Sequence, residues 1–137
     1  MKTLVIYYSF TGKTKKIAAD KAKKENADLV EVKAKKPYSK FGAYVFGGFA
    51  AMKQKPVKIE EINCDFTLYD KIIIAAPVWA GFPAPPANAV IAMLPAGKDI
   101  ELVLSSGGGD TSKNAVKIKS LVTGQKCVVT NYTDIKS

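Results

Sequence analysis

The sequence contains neither histidine nor arginine, and all 21 of its basic residues are lysine. The absence of histidine excludes imidazole general bases and the commonest metal ligand. The absence of arginine removes the bidentate guanidinium that dominates base reading in nucleic acids. We therefore expect no nucleic-acid partner, and any chemistry must come from carboxylates, hydroxyls, lysine or a bound cofactor.

Cysteine and long apolar runs are also scarce. Cys64 and Cys127 are far apart and fit neither a Cys-x-x-Cys motif nor a metal-ligand spacing, so we expect no redox dithiol and no metal site. No apolar run reaches the roughly 18 residues of a membrane span, and the N-terminus does not resemble a secretion signal. We expect a soluble, cytoplasmic protein that forms a single domain over residues 1–137 and has no membrane partner.

The positive charge is concentrated in the first half of the chain. Residues 1–58 carry 14 lysines against 4 acids, a balance of +10, whereas the remainder carries 7 lysines against 8 acids, a balance of −1. Clustered lysines attract anionic partners. The pattern predicts one basic face.

Apolar runs alternate regularly with helical segments and Gly/Pro punctuation. We predict strands at 4–8, 29–32, 71–78, 100–105 and 126–132, and helices at about 13–25, 86–94 and 111–122. Most of the strands are continuous apolar runs, as expected where both faces of a sheet are covered. Strand and helix in repetition predict an α/β fold with parallel pairing and right-handed crossovers.

The segment 37–58 stands where another crossover helix is expected, but glycines interrupt it and aromatic rings crowd it. Its rings are Tyr38, Phe41, Tyr44, Phe46 and Phe49. The favoured interpretation is that these rings cover one flank of the sheet. The alternative is a lid over a bound ligand.

A hydroxyl-rich turn, SFTGKT, follows the first predicted strand. It is not a Walker A loop, because that motif requires glycine five positions before Gly12, where Tyr7 stands. Backbone amides at the start of a helix can instead wrap a terminal phosphate. Ser9, Thr11 and Thr14 would donate hydroxyl hydrogen bonds, and Gly12 would allow close approach of the backbone.

Two further loops leave the same edge of a parallel sheet, PVWAGFPAPP and SSGGGD. Ligands of open parallel sheets bind at this edge, where the strand order reverses. Trp79 and Phe82 offer a stacking surface in the second loop, and the small residues of the third allow backbone to approach a ligand. One phosphate end and one aromatic end indicate a mononucleotide.

These motifs resemble the flavodoxin family over about residues 1–132. Ser9-x-Thr11-Gly12-x-Thr14 is similar to its phosphate loop, residues 77–86 to its flavin-ring loop, and residues 47–51 to a stretch common in short members. The resemblance implies FMN, electron transfer, and a doubly wound five-stranded parallel sheet of order 2-1-3-4-5.

The resemblance also implies the site. Residues 9–14 would bind the phosphate, Trp79 would pack on the isoalloxazine, the backbone of Ala80 and Gly81 would approach flavin N5, and residues 106–109 would face the pyrimidine edge. The candidate cofactor-binding residues are Ser9, Phe10, Thr11, Gly12, Lys13, Thr14, Pro77, Val78, Trp79, Ala80, Gly81, Phe82, Ser106, Gly107, Gly108, Gly109 and Asp110. No side chain is assigned a catalytic role, since the flavin would supply the redox chemistry.

Three features depart from the family pattern. SSGGGD has no aromatic residue for the outer flavin face, which is left to a substrate, to the aromatic segment or to another subunit. Electron-carrier flavodoxins are acidic, whereas this chain is basic and so predicts an acidic redox partner. The usual C-terminal helix is lacking, because only about five residues follow the last predicted strand, so we expect a homodimer to cover the exposed strands.

Two redox functions fit these observations. The favoured one is a small carrier that passes electrons to another redox protein, because the short chain has no second nucleotide motif. The alternative is a reductase that passes electrons from a nicotinamide to a quinone. A flavin-free interaction module on the same scaffold is a third, since fold does not fix function.

Overall fold

The computed structural model describes residues 2–39, 42, 46–107 and 110–137. Its strands are β1 (Thr3–Tyr8), β2 (Asp28–Val32), β3 (Lys71–Trp79), β4 (Phe82–Pro83), β5 (Asp99–Ser106) and β6 (Val128–Lys136). Its helices are α1 (Lys13–Glu25), α2 (Gly48–Met52), α3 (Pro85–Ala92) and α4 (Ala115–Gly124), with short 3₁₀ turns at Phe66–Leu68 and Ser112–Asn114.

The sheet has the order β2-β1-β3-β5-β6, and all four pairings along it are parallel. This is the predicted five-strand order. β4 is an additional two-residue strand that pairs antiparallel with the end of β3 and was not predicted. The chain thus reverses strand order at β1 and β3, which places the ends of those strands at a ligand crevice.

Both faces of the central strands are buried, which explains their continuous apolar sequences. One face packs against α3 and α4 through residues such as Ile72, Leu102 and Ile118. The other face packs against α1, where Ala18 and Ala22 meet Val5 and Ile73. Small alanines on α1 allow the helix to lie close to the sheet.

The last strand is longer than predicted. We expected it to end at residue 132, but β6 continues to Lys136, and none of its residues is fully buried, as expected of an edge strand. The prediction was wrong because the polar residues of the final stretch hide its period of two. No helix of the described residues lies beside α1 over β5 and β6.

We predicted that the rings of the aromatic segment, residues 37–58, cover one flank of the sheet. For two of these rings the prediction is wrong. Phe46 is 69% exposed and Phe49 is 60% exposed, and neither packs on the sheet. Residues 48–52 form the short helix α2, which we had not expected in this glycine-rich stretch, and its Ala51 is the buried residue instead. Phe41 and Tyr44 lie outside the described residues.

None of the helices in the described ranges combines the length and the apolar character that crossing a bilayer requires.

Candidate functional site

The first loop connects β1 to α1 at the carboxyl edge of the sheet. Gly12 is the N-cap of α1 and has φ = 98°, a left-handed conformation that favours glycine. The Ser9 hydroxyl accepts a hydrogen bond from the Gly12 N–H at 3.1 Å and so closes the turn. No side chain caps α1, and its first turn contains no acidic residue. The start of this helix therefore retains the positive partial charge that attracts anions.

The surface above this turn is open. A Cβ built on Gly12 would have no atom within 4 Å, and Thr11, Gly12 and Lys13 are all exposed. The described residues of the loop therefore fit a phosphate monoester in space, hydrogen bonding and charge.

Thr14 is the exception among the predicted hydroxyls, because it is buried. Its Oγ1 lies 2.9 Å from the Oγ of Ser105, at the end of β5. A hydroxyl can donate one bond and accept two, so Thr14 has a proton to offer a ligand only when Ser105 is the donor. Ser105 was not a predicted site residue, and the bond shows that the first and third loops are joined directly.

The second loop is a tight hairpin between β3 and β4. Trp79 pairs with Phe82, and the two turn residues Ala80 and Gly81 have φ values of 54° and 83°. Positive φ at both positions is the geometry of a type I′ turn, whose twist suits a two-residue hairpin. The turn presents the backbone of Ala80 and Gly81 at its tip.

Asn114 holds this hairpin from the side of α4. Its Nδ2 donates a hydrogen bond to the Gly81 carbonyl at 3.0 Å. A Cβ on Gly81 would come within 2.8 Å of the same nitrogen, so only glycine fits there. Sequence reasoning missed Asn114, because nothing in its neighbourhood distinguishes it from an ordinary surface amide.

Trp79 is the centre of an aromatic cluster that joins the first two loops. Its ring lies 5.6 Å from Phe10, 6.0 Å from Tyr8 and 5.1 Å from Tyr38, each in an edge-to-face arrangement. Burial and the neighbouring Tyr38 raise the pKa of Tyr8 to about 12, so this tyrosine stays neutral in ordinary buffers. The structure therefore brings together Phe10 and Trp79, which sequence reasoning placed in one site.

The glycine-rich segment also touches the Trp79 ring. A Cβ on Gly47 would lie 2.6 Å from Cζ3 and 2.8 Å from Cε3 of Trp79. The backbone just before α2 therefore lies directly against the indole, in a space that only glycine leaves. The contact does not decide whether segment 37–58 covers a flank of the sheet or acts as a lid over a ligand. It shows that the residues around Gly47 form one wall of the candidate site.

The third loop, after β5, is anchored to the edge strand. Thr111 is fully buried, and its N–H and hydroxyl donate to the two carboxylate oxygens of Asp134, at 3.2 and 2.7 Å. The Thr111 hydroxyl also bonds the Tyr132 hydroxyl. Sequence reasoning did not foresee the contact between Thr111 and Asp134, because a polar residue on a predicted loop after a strand carries no signal of its partner.

Asp110 has a local role in the same loop. Its carboxylate accepts hydrogen bonds from the Ser112 hydroxyl at 2.7 Å and from the Ser112 N–H at 3.1 Å, and these bonds lower the pKa of Asp110. A Cβ built on Gly107 would lie 3.7 Å from the Ser137 carbonyl oxygen, while Gly108 and Gly109 lie outside the described residues. The described part of the loop therefore has a base that hydrogen bonds hold in place.

A flavodoxin family model matches residues 2–128 of this chain, nearly its whole length. The chain belongs to the flavodoxin family. The flavodoxin motifs predicted from residues 9–14 and 77–86 thus lie within the matched region, and the fold and family predictions are confirmed.

Solved structures agree on the fold of this flavodoxin. A flavoprotein from Lactobacillus acidophilus, solved in complex with FMN, has 23% identity and a TM-score of 0.82 over 97% of this chain and 92% of that one. A second flavoprotein, from Bacteroides uniformis, has 22% identity and a TM-score of 0.81 over 99% and 92%. A flavodoxin of the pneumococcal strain TIGR4 has 17% identity and a TM-score of 0.56 over 100% and 87%. The sequence matches no curated protein.

Proposed function

We propose that this flavodoxin binds FMN and serves as an electron carrier between other redox proteins. The observation that carries the proposal is the contact of Phe10 with Trp79, because it joins an uncapped, phosphate-sized turn to an aromatic platform. One end of such a site suits an anion and the other a flat heterocycle. FMN is the cofactor that the family and the FMN complex of the Lactobacillus acidophilus flavoprotein support.

Each of the three loops would hold a different part of FMN. The amides and hydroxyls of residues 9–14 would hold the phosphate, Trp79 would lie beside the ring system, and the hairpin tip at Ala80 and Gly81 would offer backbone groups to it. The third loop, fixed by Thr111 and Asp134, would bound the far edge. When bound, FMN supplies the electron uptake and release, and the protein sets its position and access to water.

A carrier differs from a reductase in what reduces it. A carrier is reduced by another protein, whereas a reductase must also bind a nicotinamide dinucleotide beside the flavin. The absence of a second nucleotide motif in the sequence favours the carrier. No aromatic residue of the described third loop covers the site from the side of β5. This side is therefore open to a partner protein or to a nicotinamide, and kinetic measurements must distinguish a carrier from a reductase.

Anaerobic stopped-flow mixing tests this choice. The FMN-loaded protein is mixed with NADH or NADPH in one series and with dithionite in another, and the flavin absorbance is followed. We expect rapid bleaching by dithionite and only slow bleaching by either nicotinamide. Rapid bleaching by a nicotinamide, followed by reoxidation with a quinone, would make the protein a reductase.

We also propose that two copies associate through the groove between α1 and β6. The groove has a volume of about 260 Å³ and an apolar floor of Ile17, Val103 and Ile135. Asp20 and Lys24 also line the groove, and their opposite charges can pair with those of a second copy across a two-fold axis. Light scattering of Ile135→Asp should report a monomer and that of the native protein a dimer, with Val116→Asp, at an exposed site on α4, as the control. A native monomer at micromolar concentration would exclude the dimer.

A further inference from the structure

The segment between β2 and the 3₁₀ turn at Phe66–Leu68 has an unusual charge. Residues 32–59 contain seven lysines and no aspartate or glutamate. The ion pairs found among the described residues involve Lys2, Lys21 and Lys71, none of which belongs to this segment. The segment therefore carries a net positive charge, and the nearest acidic residues in the sequence are Glu31 and Glu60 at its two ends.

Backbone pairing fixes the two ends of this segment side by side. Ala34 and Ile59 form an antiparallel bridge, and the Lys35 N–H donates to the Lys58 carbonyl at 2.9 Å. A second bond runs from the Glu60 N–H to the Lys33 carbonyl at 2.8 Å. Lysines from both ends of the segment therefore project from one small, hydrogen-bonded base.

These lysines line a cavity of about 550 Å³, which we call the basic cleft. Its walls are Lys35 and Lys36 on one side and Val57 and Lys58 on the other. The three lysines are exposed and the valine is partly buried. A concave surface with cations on two walls can receive carboxylates that project from a partner. A partner with a flat surface would not reach into it.

The basic cleft lies next to the aromatic cluster of the candidate site. Lys36 is followed by Pro37 and then by Tyr38, whose ring is 5.1 Å from that of Trp79. A partner bound in the cleft would therefore lie close to the rings of Tyr38 and Trp79.

Exposed apolar side chains lie on a second segment that contacts the aromatic cluster. Phe46, Phe49 and Met52 are all more than half exposed and belong to the segment that contacts Trp79 through Gly47. Aromatic residues and methionine are enriched in protein interfaces, and lysines around them steer an oppositely charged partner. Both the charged cleft and the exposed apolar side chains are thus connected to the aromatic cluster of the candidate site, through Tyr38 and Gly47.

We propose that the basic cleft and the adjoining Phe46, Phe49 and Met52 form the docking surface for an acidic redox protein. The inference rests on the proposed carrier function and adds the surface and the chemistry of the partner. In each encounter one electron moves from the reduced partner to the bound FMN, and two encounters with protons from solvent complete its reduction. Carboxylates of the partner pair with Lys35, Lys36 and Lys58 and hold its redox centre near Trp79.

The experiment uses a reduced plant-type [2Fe–2S] ferredoxin, a small acidic protein, as the probe. The FMN-loaded protein is mixed with it anaerobically at about 0.02 M salt, where charges act over about 20 Å. The test variant is K35Q/K36Q/K58Q. The control variant is K23Q/K117Q/K126Q, which removes the same charge at exposed positions on α1, on α4 and just before β6.

We expect the second-order rate constant to fall about tenfold or more in the cleft variant and less than about twofold in the control. Raising the salt to about 0.5 M should abolish the difference. Equal losses in both variants would overturn the docking surface. So would a cleft variant that loses binding to anionic phosphatidylglycerol vesicles while it keeps its full rate with ferredoxin.

Measuring FMN binding distinguishes a failure of the docking surface from a failure of the proposed carrier function. Both variants should bind FMN as the native protein does and be reduced by dithionite at the same rate, because none of the six lysines lies in the three loops. A native protein that binds no FMN would defeat the carrier function itself. A protein that binds FMN normally but shows no cleft effect would defeat only the docking surface.

Discussion

The hydroxyls of Thr14 and Ser105 lie 2.9 Å apart across 91 residues of sequence, and both residues are buried. The bond ties the first turn of α1 to the end of β5, so the two loops that flank the proposed FMN site share one fixed point. An unpaired buried hydroxyl costs about 1–3 kcal/mol. The geometry of the phosphate turn therefore depends on a residue outside its motif.

We predict that Thr14→Val lowers the free energy of unfolding by about 1–2 kcal/mol, because it leaves the Ser105 hydroxyl without this partner. The double variant Thr14→Val/Ser105→Ala should lose less than the sum of the single variants, with a coupling of about 1 kcal/mol. Urea denaturation followed by circular dichroism measures all three. Strict additivity would show that the two hydroxyls do not interact.

Gly12 provides a direct test of the phosphate turn. Its open surroundings leave room for a side chain, so a substitution there acts through charge and backbone conformation. We predict that Gly12→Asp weakens FMN binding more than any other single change in the loop, because its carboxylate repels the phosphate. Gly12→Asn is the matched control, since asparagine has the same shape and tolerates the left-handed conformation.

FMN titration by fluorescence should show an affinity at least about tenfold lower for Gly12→Asp than for Gly12→Asn, equivalent to about 1.4 kcal/mol. Equal affinities of these two variants would remove the assignment of the phosphate to this turn.

Gly47 tests whether the segment before α2 is a wall of the site. An alanine there would place Cβ within 2.6 Å of the Trp79 ring, so the indole or the backbone must move. We predict a loss of about 1–3 kcal/mol in stability and a shift in tryptophan emission, which reports on Trp79 alone because the chain has one tryptophan.

Gly124→Ala is the control for Gly47→Ala, since its Cβ meets no atom within 4 Å. Emission and FMN affinity should be unchanged in that control. The same result in Gly47→Ala would mean that the segment does not contact the indole in solution.

A buried carboxylate on the side of the sheet that faces α1 is paired with two lysines. Glu101 is 2% exposed and pairs with Lys21 at 2.9 Å and with Lys71 at 3.2 Å, and Lys71 also bonds Glu25 at 3.1 Å. We predict that Lys71→Met lowers the free energy of unfolding by about 2 kcal/mol. This is less than the roughly 3–5 kcal/mol typical for breaking a buried pair, because Lys21 still compensates Glu101.

In the double variant Lys71→Met/Glu101→Leu most of that loss should be recovered, because no buried charge is left without a partner. A double variant less stable than Lys71→Met would contradict this account.

The same network predicts a pH dependence. The hydrogen bond from Lys71 lowers the pKa of Glu25 from its ordinary value of 4.5. Its contribution to stability is therefore present above that ordinary value and is lost as the pH falls through the lower value in the folded protein. Unfolding free energies measured from neutral pH downward should decrease less steeply in Lys71→Met than in the native protein. Parallel curves would show that Glu25 gains nothing from the lysine.

The central strands and α1 could be predicted from the sequence because the local residue pattern and the burial imposed by the fold agree there. The continuous apolar run of β3 and the alanines of α1 both follow from burial on a covered sheet, and their positions were predicted to within a residue or two. At the edge, β6 was predicted too short, since its polar positions face water. The small strand β4 was read as loop because two residues carry no periodicity.

The candidate site was predicted only in part for a similar reason. Glycines and hydroxyls at the strand ends mark the loops, so residues 9–14 and 77–82 could be named in advance. Ser105 and Asn114 support those loops from other elements, and Asp134 supports the third loop, through bonds that span 23 to 91 residues. Nothing in a single sequence pairs such polar residues, because the pairing is created by the fold.

The most direct test of the central claim is a titration of the apoprotein with FMN and, in parallel, with riboflavin, which lacks the phosphate. Quenching of flavin fluorescence gives both dissociation constants. We predict that FMN binds at or below micromolar concentration and about 100-fold more tightly than riboflavin, because charge-assisted bonds to the phosphate contribute about 1.5–3 kcal/mol each. Equal affinities, or no quenching at micromolar FMN, would contradict a site built from a phosphate turn and an indole.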